Sequence, residues 1–451
     1  MDNMQRPIKV MMLPWLAHGH ISPFLELAKR LSTRNFHIYL CSTPVNLSFI
    51  KPKISEKYSS SIELVELHLP SPPELPPHYH TTKGLPPHLM NTLKVAFDMA
   101  SPVFSDIVKS LGPNLLIHDF LQPWAAEAVK SHGMPSVVFF SIGAGTLSFI
   151  FHMVKNAGSK FPFEAIRLHD YEQAKLIKVM DDSAVRVKDK DRVLQSVERS
   201  SNFILLKTFR ELDGKYMDYL SSLLGKNVVP VGPLVEDPSN IEDGDFEWLD
   251  KREKSSTNFV SFGSEYFPTE KEREEIAYGL ELSNVNFIWV IRFTVGESTE
   301  LEEALPEGFF ERVRDRGLVI DGWAPQGKIL EHPSIGGFVS HCGWSSIIES
   351  MNSGVPIIAM PMQLDQPLNA RTVEEIGVGL QVKRNKSGEL ERLEIAKVIK
   401  DVVVEKDGES VRKKAKEMSY SIRNKGEGEL DEVADALVQL CVGNKEQYVS
   451  K

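Results

Sequence analysis

Short runs of apolar residues alternate along this chain with longer segments whose apolar positions recur every three or four residues. In the first half, the runs lie at residues 8–13, 36–42, 114–120, 135–141 and 202–208. They are short and rich in branched and aromatic residues, so they predict β-strands. After the first run and a loop, one apolar face predicts a helix over residues 24–35. Nearly continuous apolar strands that alternate with helices indicate a parallel, doubly wound sheet.

The alternation restarts after a segment rich in Pro, Asp and Glu at residues 228–249. A helix with Thr269 as its cap is predicted over residues 269–284. Strands are predicted at residues 258–264, 286–293, 317–323, 336–342 and 355–361. Two such halves indicate an α/β protein with two Rossmann-like domains and a ligand cleft between them. The predicted parts are residues 1–235, a linker at 236–247, residues 248–430, and a C-terminal helix and tail at 431–451.

Composition narrows the classes of partner. The chain has 451 residues and a formal net charge of −10, without a long basic run. We therefore expect neither nucleic acid nor an anionic membrane surface as a partner. No apolar stretch reaches the length of a membrane span, and Pro14 breaks the N-terminal apolar run, which we interpret as a strand. Three cysteines without metal-ligand spacing predict a reducing, cytoplasmic setting. As a separate expectation, the protein is a monomer.

The sequence SHCGWSSIIES, residues 340–350, places small, polar and aromatic residues where a strand passes into a helix. The first N–H groups of a helix have no partner within the helix, so they form an anion site, above all for phosphate. Ser345, Ser346 and His341 add hydrogen-bond donors, and Gly343 permits close approach of a ligand. The pattern alone is more typical of an ordinary helix cap with its serines and glycine.

Neighbouring residues favour a nucleotide. Glu349 lies on the same helix face as the serines, where a carboxylate can accept from ribose hydroxyls. Trp323 ends a predicted strand and could stack on a base, although core packing is the ordinary role of tryptophan. Asp365 and Gln366 follow another strand and suit the adjacent hydroxyls of a sugar, or simply form a capped turn.

The segment from Trp323 to Gln366, WAPQGKILEHPSIGGFVSHCGWSSIIESMNSGVPIIAMPMQLDQ, closely resembles the signature box of plant UDP-dependent glycosyltransferases of family 1. The resemblance extends over nearly the whole chain. It implies the GT-B fold, in which two Rossmann-like domains face each other and the second holds most of the donor.

The resemblance also implies roles for the donor-binding residues. Uracil would meet the Trp323 ring and the Ala324 backbone, and ribose would meet Gln326 and Glu349. Diphosphate would meet His341, Ser346 and the helix start, and glucose would meet Trp344, Asp365 and Gln366. Ser264 and Ser345 complete the donor set. The terminal Gln366 resembles members that use glucose. Ser345 departs from the usual Asn, which puts one phosphate contact in doubt.

Transfer of a sugar requires a base that activates the acceptor hydroxyl, usually a histidine supported by a carboxylate. His18 and His20 follow the first strand, and His118 and Asp119 end another. Spacing alone does not choose among them. The family pattern Gly-His-x-x-Pro matches His20, and the family's Asp matches Asp119. His18 would then shape the pocket mouth, and strand alternation turns His118 away from the cleft.

The segment SFGSEYF, residues 261–267, resembles the branch of the family that adds a sugar to the sugar of a glycoside. The resemblance implies inverting transfer from UDP-glucose to a small-molecule glycoside, with Ser141 and Glu265 near the acceptor and with no cofactor or metal. Two Asp-x-Asp patterns, residues 189–191 and 243–245, are interpreted as solvated loops; the second lies among Asp237, Glu242 and Glu247 of the acidic linker.

Three alternatives remain open. The acceptor could be a hydroxyl or carboxyl of an aglycone. A nucleotide-binding oxidoreductase would share the fold but needs a glycine fingerprint after the first strand, where this chain has PWLAHGH. A non-catalytic UDP-sugar binder would not need the histidine and aspartate of the proposed pair.

Overall fold

The computed structural model describes residues 6–181, 183–184, 187–237, 247–293 and 300–449. Contacts between residues divide the chain into two compact units. The first comprises Met1–Ala157, Ile177–Leu234 and Gly426–Lys451, and the second comprises Gly158–Leu176 and Val235–Lys425. These units differ from the predicted parts at two places: residues 158–176 pack with the second unit, and residues 426–451 pack with the first. Most of the predicted linker, residues 238–246, lies outside the described residues.

The first unit contains a parallel sheet of seven strands in the order β3-β2-β1-β4-β5-β8-β9, and a short antiparallel pair, β6-β7. The strands of this half are β1 (Ile8–Leu13), β2 (Phe36–Ser42), β3 (Ile62–Glu66), β4 (Leu115–Asp119), β5 (Ser136–Phe140), β6 (Ser183–Ala184), β7 (Val187–Lys188), β8 (Phe203–Leu206) and β9 (Asn227–Pro230). The predicted strands of this half are all present. The sheet is buried on both faces, which explains why its central strands are apolar at nearly every position.

The helices of this half of the sequence are α1 (His18–Ser32), α2 (Pro44–Ile50), α3 (Glu56–Ser59), α4 (Met90–Met99), α5 (Ser101–Leu111), α6 (Pro123–Lys130), α7 (Ala144–Lys155), α8 (Asp170–Asp181), α9 (Asp189–Arg199) and α10 (Arg210–Leu224). Single 3-10 turns lie at Lys51–Lys53, Pro77–Tyr79 and Pro87–Leu89. The prediction that the first helix starts at residue 24 was wrong. Pro23 lies inside α1 as its sixth residue, so the helix continues through a proline that removes one intrahelical donor.

The second unit contains a parallel sheet of six strands in the order β12-β11-β10-β13-β14-β15. Its strands are β10 (Thr257–Ser261), β11 (Asn286–Ile291), β12 (Gly317–Asp321), β13 (Ile335–Ser340), β14 (Ile357–Ala359) and β15 (Gly379–Gln381). The predicted α/β class with two parallel sheets is confirmed. Sequence reasoning missed β15, which has only three residues.

The remaining helices are α11 (Glu247–Asp250), α12 (Glu270–Ser283), α13 (Leu301–Ala304), α14 (Phe309–Val313), α15 (Gln326–Glu331), α16 (Trp344–Ser353), α17 (Gln366–Ile376), α18 (Arg392–Val403) and α19 (Glu409–Val449), with a 3-10 turn at Lys406–Gly408. The predicted cap of α12 is confirmed, because the Thr269 side chain accepts from the Glu272 amide in a capping box. The predicted boundary between residues 430 and 431 lies inside α19. Among the described residues, no helix is both long and apolar enough to cross a membrane.

Candidate active site

His20 and Asp119 form a hydrogen-bonded pair at the carboxyl edge of the first sheet. Strands β1 and β4 are neighbours; α1 begins soon after β1, and Asp119 is the last residue of β4. His20 Nδ1 donates to Asp119 Oδ2 over 2.7 Å. The carboxylate is fully buried, whereas the histidine side chain is 20% exposed. The sheet therefore brings together two residues that are 99 positions apart in sequence.

The pair has a fixed orientation because its neighbours hold both members. The second carboxylate oxygen, Asp119 Oδ1, accepts from the Leu121 amide over 3.1 Å. The Phe120 ring lies 5.5 Å from the His20 ring, centroid to centroid, and stacks on Phe140 at 5.0 Å. Sequence reasoning missed this aromatic wall, although the Phe after the strand-ending Asp was its signal. Ser141 follows β5 directly and is buried beside the same sheet edge.

The other two candidate histidines have different surroundings. His118 is fully buried, and its Nδ1 donates to the Asp119 main-chain carbonyl over 2.9 Å. Burial lowers the pKa of His118 to about 4, against the hydrogen bond to that carbonyl, which raises it. His118 is thus a neutral core residue at physiological pH. His18 lies on the exposed first turn of α1, with its Nε2 3.4 Å from Ser22 Oγ.

In the second unit, the turn between β13 and α16 precedes a helix start that has no side-chain cap. Cys342 adopts a left-handed conformation with a φ of +69°, and its amide donates to Ser340 Oγ. Gly343, the residue before α16, provides no side-chain cap, and no acidic residue lies in the first turn. The first intrahelical bond runs from the Ile347 amide to the Gly343 carbonyl. The amides of residues 344–346 therefore precede the helix ladder, as an anion site requires.

His341 is packed between two glycines at this turn. A Cβ built on Gly263 or on Gly343 would lie 2.6 Å from His341 Nε2, so both positions need the absence of a side chain. Burial lowers the pKa of His341 to about 4, although the neighbouring Ser261 carbonyl acts in the opposite direction. The ring is neutral at physiological pH, so it can contribute a hydrogen bond to an anion but no charge of its own.

The predicted ribose residues lie together. Gln326 Nε2 donates to Glu349 Oε2 over 2.7 Å and to Ser346 Oγ over 3.2 Å, which joins the start of α15 to α16. The Trp323 side chain, just before this cluster, is 62% exposed, while Ala324 is buried. An exposed indole next to polar hydrogen-bonding groups is suited to stacking on a base.

A loop before α17 carries the predicted sugar residues. Gln366 is buried, and its Oε1 accepts from the Met362 and Gln363 amides over 3.0 and 2.9 Å, so its carbonyl holds the loop. Asn369 donates to Asp365 Oδ2 over 2.7 Å and to the Cys342 carbonyl over 3.0 Å. Asn369 thus ties this loop, residues 360–365, to the turn between β13 and α16. The loop is called the sugar loop below, after its predicted role. Sequence reasoning missed Asn369, although its position one helical turn after Asp365 was a usable signal.

The remaining predicted residues of this half lie around the same sheet edge. Trp344 is the buried first residue of α16, and Ser345 follows it with partial exposure. Ser264 and Glu265 are exposed after β10. Gln363 Nε2 donates to the Glu265 carbonyl over 3.4 Å, which links that loop to the sugar loop.

The Asp-x-Asp pattern at residues 189–191 is not a solvated loop, so that interpretation was wrong. Asp189 starts α9, where a negative charge complements the helix dipole, and its carboxylate lies 2.5 Å from Lys94 Nζ and 3.9 Å from Arg192 Nε. The pattern at 243–245 and Glu242 lie outside the described residues, and Glu247 starts α11. In the part of the chain that the structure describes, no three His, Cys, Asp or Glu residues are grouped as a metal site.

Comparisons with known proteins agree on one family. The sequence model described as "UDP-glucoronosyl and UDP-glucosyl transferase" matches residues 178–419, and "Glycosyltransferase, N-terminal domain" matches residues 6–236. The chain is 55% identical to a mogroside IIIx synthase of Siraitia grosvenorii, covering 94% of this chain and 91% of that protein. It is 52% identical to the beta-D-glucosyl crocetin beta-1,6-glucosyltransferase of Gardenia jasminoides, covering 95% and 98%.

A solved structure is similar over the same extent. The structure of UGT2 of Phytolacca americana, complexed with UDP-2-fluoro-glucose and pterostilbene, has a TM-score of 0.78 and 26% sequence identity to this chain. The match covers 96% of this chain and 99% of that one.

Proposed function

The chain belongs to the family of UDP-dependent glycosyltransferases, and from this premise we propose that it transfers glucose from UDP-glucose to a hydroxyl of the sugar of a small-molecule glycoside. The product is a β-linked disaccharide. The observation that carries the chemistry is the 2.7 Å hydrogen bond between His20 and the buried Asp119. The glycoside acceptor is supported by the 52% identical relative, whose name specifies a glucosyl crocetin acceptor.

His20 is the proposed general base. Its Nδ1 is engaged by Asp119, so Nε2 is the nitrogen that takes the acceptor proton. Asp119 fixes this tautomer and stabilises the imidazolium that forms. The hydroxyl oxygen forms a bond to the anomeric carbon as the bond from that carbon to the diphosphate oxygen breaks. The proton remains on His20, UDP leaves, and the configuration of the α-linked donor inverts to β.

The second unit supplies the proposed donor site. The start of α16, with Ser345, Ser346 and neutral His341, accepts the diphosphate, because the dipole of the helix start and the hydroxyls there oppose the charge that develops on UDP. Other donor groups have their own proposed contacts: uracil with Trp323 and Ala324, ribose with Gln326 and Glu349, and glucose with Trp344, Asp365 and Gln366. Ser264 is a further proposed donor-binding residue.

We further propose that transfer requires no metal or other cofactor, since the helix start and hydroxyls supply the electrostatic stabilisation. A cytoplasmic location is supported by Cys41, Cys342 and Cys441, which are buried thiols outside any disulfide. In this proposal the acceptor lies near Ser141 of the first unit, and the enzyme acts as a monomer.

One observation favours a second candidate acceptor. The 26% identical structure from Phytolacca americana holds a UDP-sugar analogue together with pterostilbene, a compound whose name specifies no sugar. Glucosylation of an aglycone hydroxyl or carboxyl is therefore the runner-up within the enzyme class.

The experiment compares acceptors in matched pairs. Purified protein receives UDP-glucose and a flavonoid, terpenoid or apocarotenoid aglycone, each beside its monoglucoside, with and without EDTA. We expect glucose on the monoglucosides only, at an equal rate with the chelator. Transfer to the free aglycones instead would replace the proposed acceptor by the runner-up. If the protein binds UDP-glucose but transfers no glucose to any acceptor, it is a non-catalytic UDP-sugar binder and the proposed activity is wrong.

The variant His20→Ala tests the base in the same assay, with His132→Ala as a control on an exposed histidine of the same unit. We expect His20→Ala to lose turnover and keep UDP-glucose affinity. Unchanged turnover would refute His20 as the base.

A further inference from the structure

A segment from the first half of the sequence packs within the unit that carries the donor residues. Residues 158–176 precede the predicted linker by some distance, yet they belong to the second compact unit. Glu172 of this segment meets Arg371 of α17, 199 positions later. Arg371 donates to both carboxylate oxygens of Glu172, at 3.2 and 3.1 Å. The two side chains are only 5% and 9% exposed, so this is a buried ion pair.

Both members of the pair are held by further bonds. The His169 amide donates to Glu172 Oε2 over 2.8 Å, so the start of α8 fixes the carboxylate from its own side. Arg371 also donates to the Gln381 side chain at the end of β15. The planar guanidinium therefore has three fixed oxygen partners, a geometry that a lysine could not reproduce.

A second contact of the same segment leads to the sugar loop. Tyr171 lies against Gly388, where a Cβ would come within 3.2 Å of the ring and where φ is +81°. Arg384 donates to the Gly388 carbonyl over 3.0 Å and to the Pro361 carbonyl over 3.1 Å. Pro361 lies near the start of the loop that carries Asp365. The segment is thus linked to the start of that loop through Gly388 and Arg384, and it contacts the helix after the loop through Arg371.

Helix α17 connects the ion pair to the donor residues. It begins at Gln366, whose side-chain oxygen accepts from the amides of Met362 and Gln363 in the loop. It includes Asn369, whose side chain donates to Asp365 and to the Cys342 carbonyl. Arg371 lies in the same helix. A shift of α17 would move Asp365, Gln366 and Asn369 together, whereas Trp323 and the start of α16 belong to other elements.

We propose that Glu172, through its ion pair with Arg371, is a positioning residue for the glucose portion of the donor. This inference rests on the proposed function, because it assigns Asp365 and Gln366 to the sugar. Neutralising Glu172 leaves a buried guanidinium without a counter-charge, and α17 relaxes toward water. The sugar contacts weaken, while the nucleotide contacts at Trp323 and α16 persist.

The test measures the binding of UDP and of UDP-glucose separately, by calorimetry on the whole chain, for wild type and Glu172→Gln. We expect the affinity for UDP-glucose to fall about tenfold, the loss of one net hydrogen bond, and the affinity for UDP to stay within about twofold. The matched control is Glu164→Gln on the same segment. Glu164 is 82% exposed and pairs with Lys160 at the surface, so we expect no change.

Three results would overturn the inference: unchanged affinity for both ligands, an equal loss for both, or a loss shared by the control. Should Glu172→Gln fail to fold, Arg371→Lys keeps the charge but lacks the fork, and the same selective loss is expected. Wild-type protein that binds UDP but not UDP-glucose would refute the proposed function itself, which separates the two failures.

Discussion

Replacement of Asp119 by asparagine isolates the contribution of one buried charge to the proposed base. The substitution preserves shape, and the asparagine oxygen can still accept from the Leu121 amide, as Asp119 Oδ1 does at 3.1 Å. Its amide group would face His20 Nδ1, which Asp119 Oδ2 now meets at 2.7 Å. That nitrogen must then accept, so the ring proton moves to Nε2. His20 Nε2, which should take the proton of the acceptor hydroxyl, already carries a proton and cannot act as the base.

The size of the effect follows from the geometry. The charges of a protonated ring and a carboxylate are each spread over several atoms, so their centres lie about 4 Å apart. At an effective dielectric constant of about 20, suited to a site one-fifth exposed, their attraction is about 4 kcal/mol. Each 1.36 kcal/mol changes a rate about tenfold, so the loss corresponds to a fall in kcat of about 10³-fold.

The assay follows kcat for glucose transfer, KM for UDP-glucose and UDP affinity. We expect only kcat to change, because the donor residues belong to the other unit. Asp218→Asn is the matched control, since Asp218 is 70% exposed on α10 of the same unit. A kcat for Asp119→Asn within about tenfold of wild type would refute the charge argument. A variant that combines Asp119→Asn with His20→Ala should be no slower than His20→Ala alone.

Two further predictions concern buried histidine and glycine. The pKa of His118, about 4 in the folded protein, is below its ordinary value, so the unfolded chain takes up a proton first as pH falls. As the pH falls from about 7 to about 5, His118 should lower the free energy of unfolding by about 2 kcal/mol. Urea titrations of His118→Asn should lack this part of the decrease, and an equal decrease in both proteins would contradict the prediction. The backbone of Gly343 has a φ of −59°, which alanine also adopts. In Gly343→Ala, however, the new Cβ would lie 2.6 Å from His341 Nε2 and displace the ring. UDP affinity should fall about tenfold or more, unlike in Gly214→Ala, where the added Cβ meets open space; equal affinities would show that His341 does not hold the diphosphate.

The main elements of the fold were predictable because the strands of both sheets are apolar runs. The segment NFVSFGS predicted β10, which spans Thr257–Ser261, and most other long strands were found in the same way. Strand β3, Ile62–Glu66, was missed because charged residues interrupt its apolar run. The failures have local causes. Strand β15 is too short to show a period, and Pro23 concealed the first turn of α1, on which His20 lies.

The candidate site was predictable to a different degree in each unit. Apart from Ser264, the proposed donor residues lie within one continuous segment, Trp323 to Gln366, so a sequence pattern locates them together. The pair of His20 and Asp119 is 99 positions apart, and spacing did not choose it from the four candidates; the family pattern did. Glu172 and Arg371 meet only through tertiary packing and carry no local signal. Their role could be inferred only from the structure.

The central claim, transfer of glucose onto an existing sugar, is tested most directly by locating the new bond in the product. UDP-glucose labelled with ¹³C in its sugar is incubated with one monoglucoside, and the product is examined by two-dimensional NMR. The account predicts that the labelled anomeric carbon correlates with a carbon of the original glucose and shows the diaxial coupling of a β linkage. A label attached to the aglycone, or an α linkage, would contradict it.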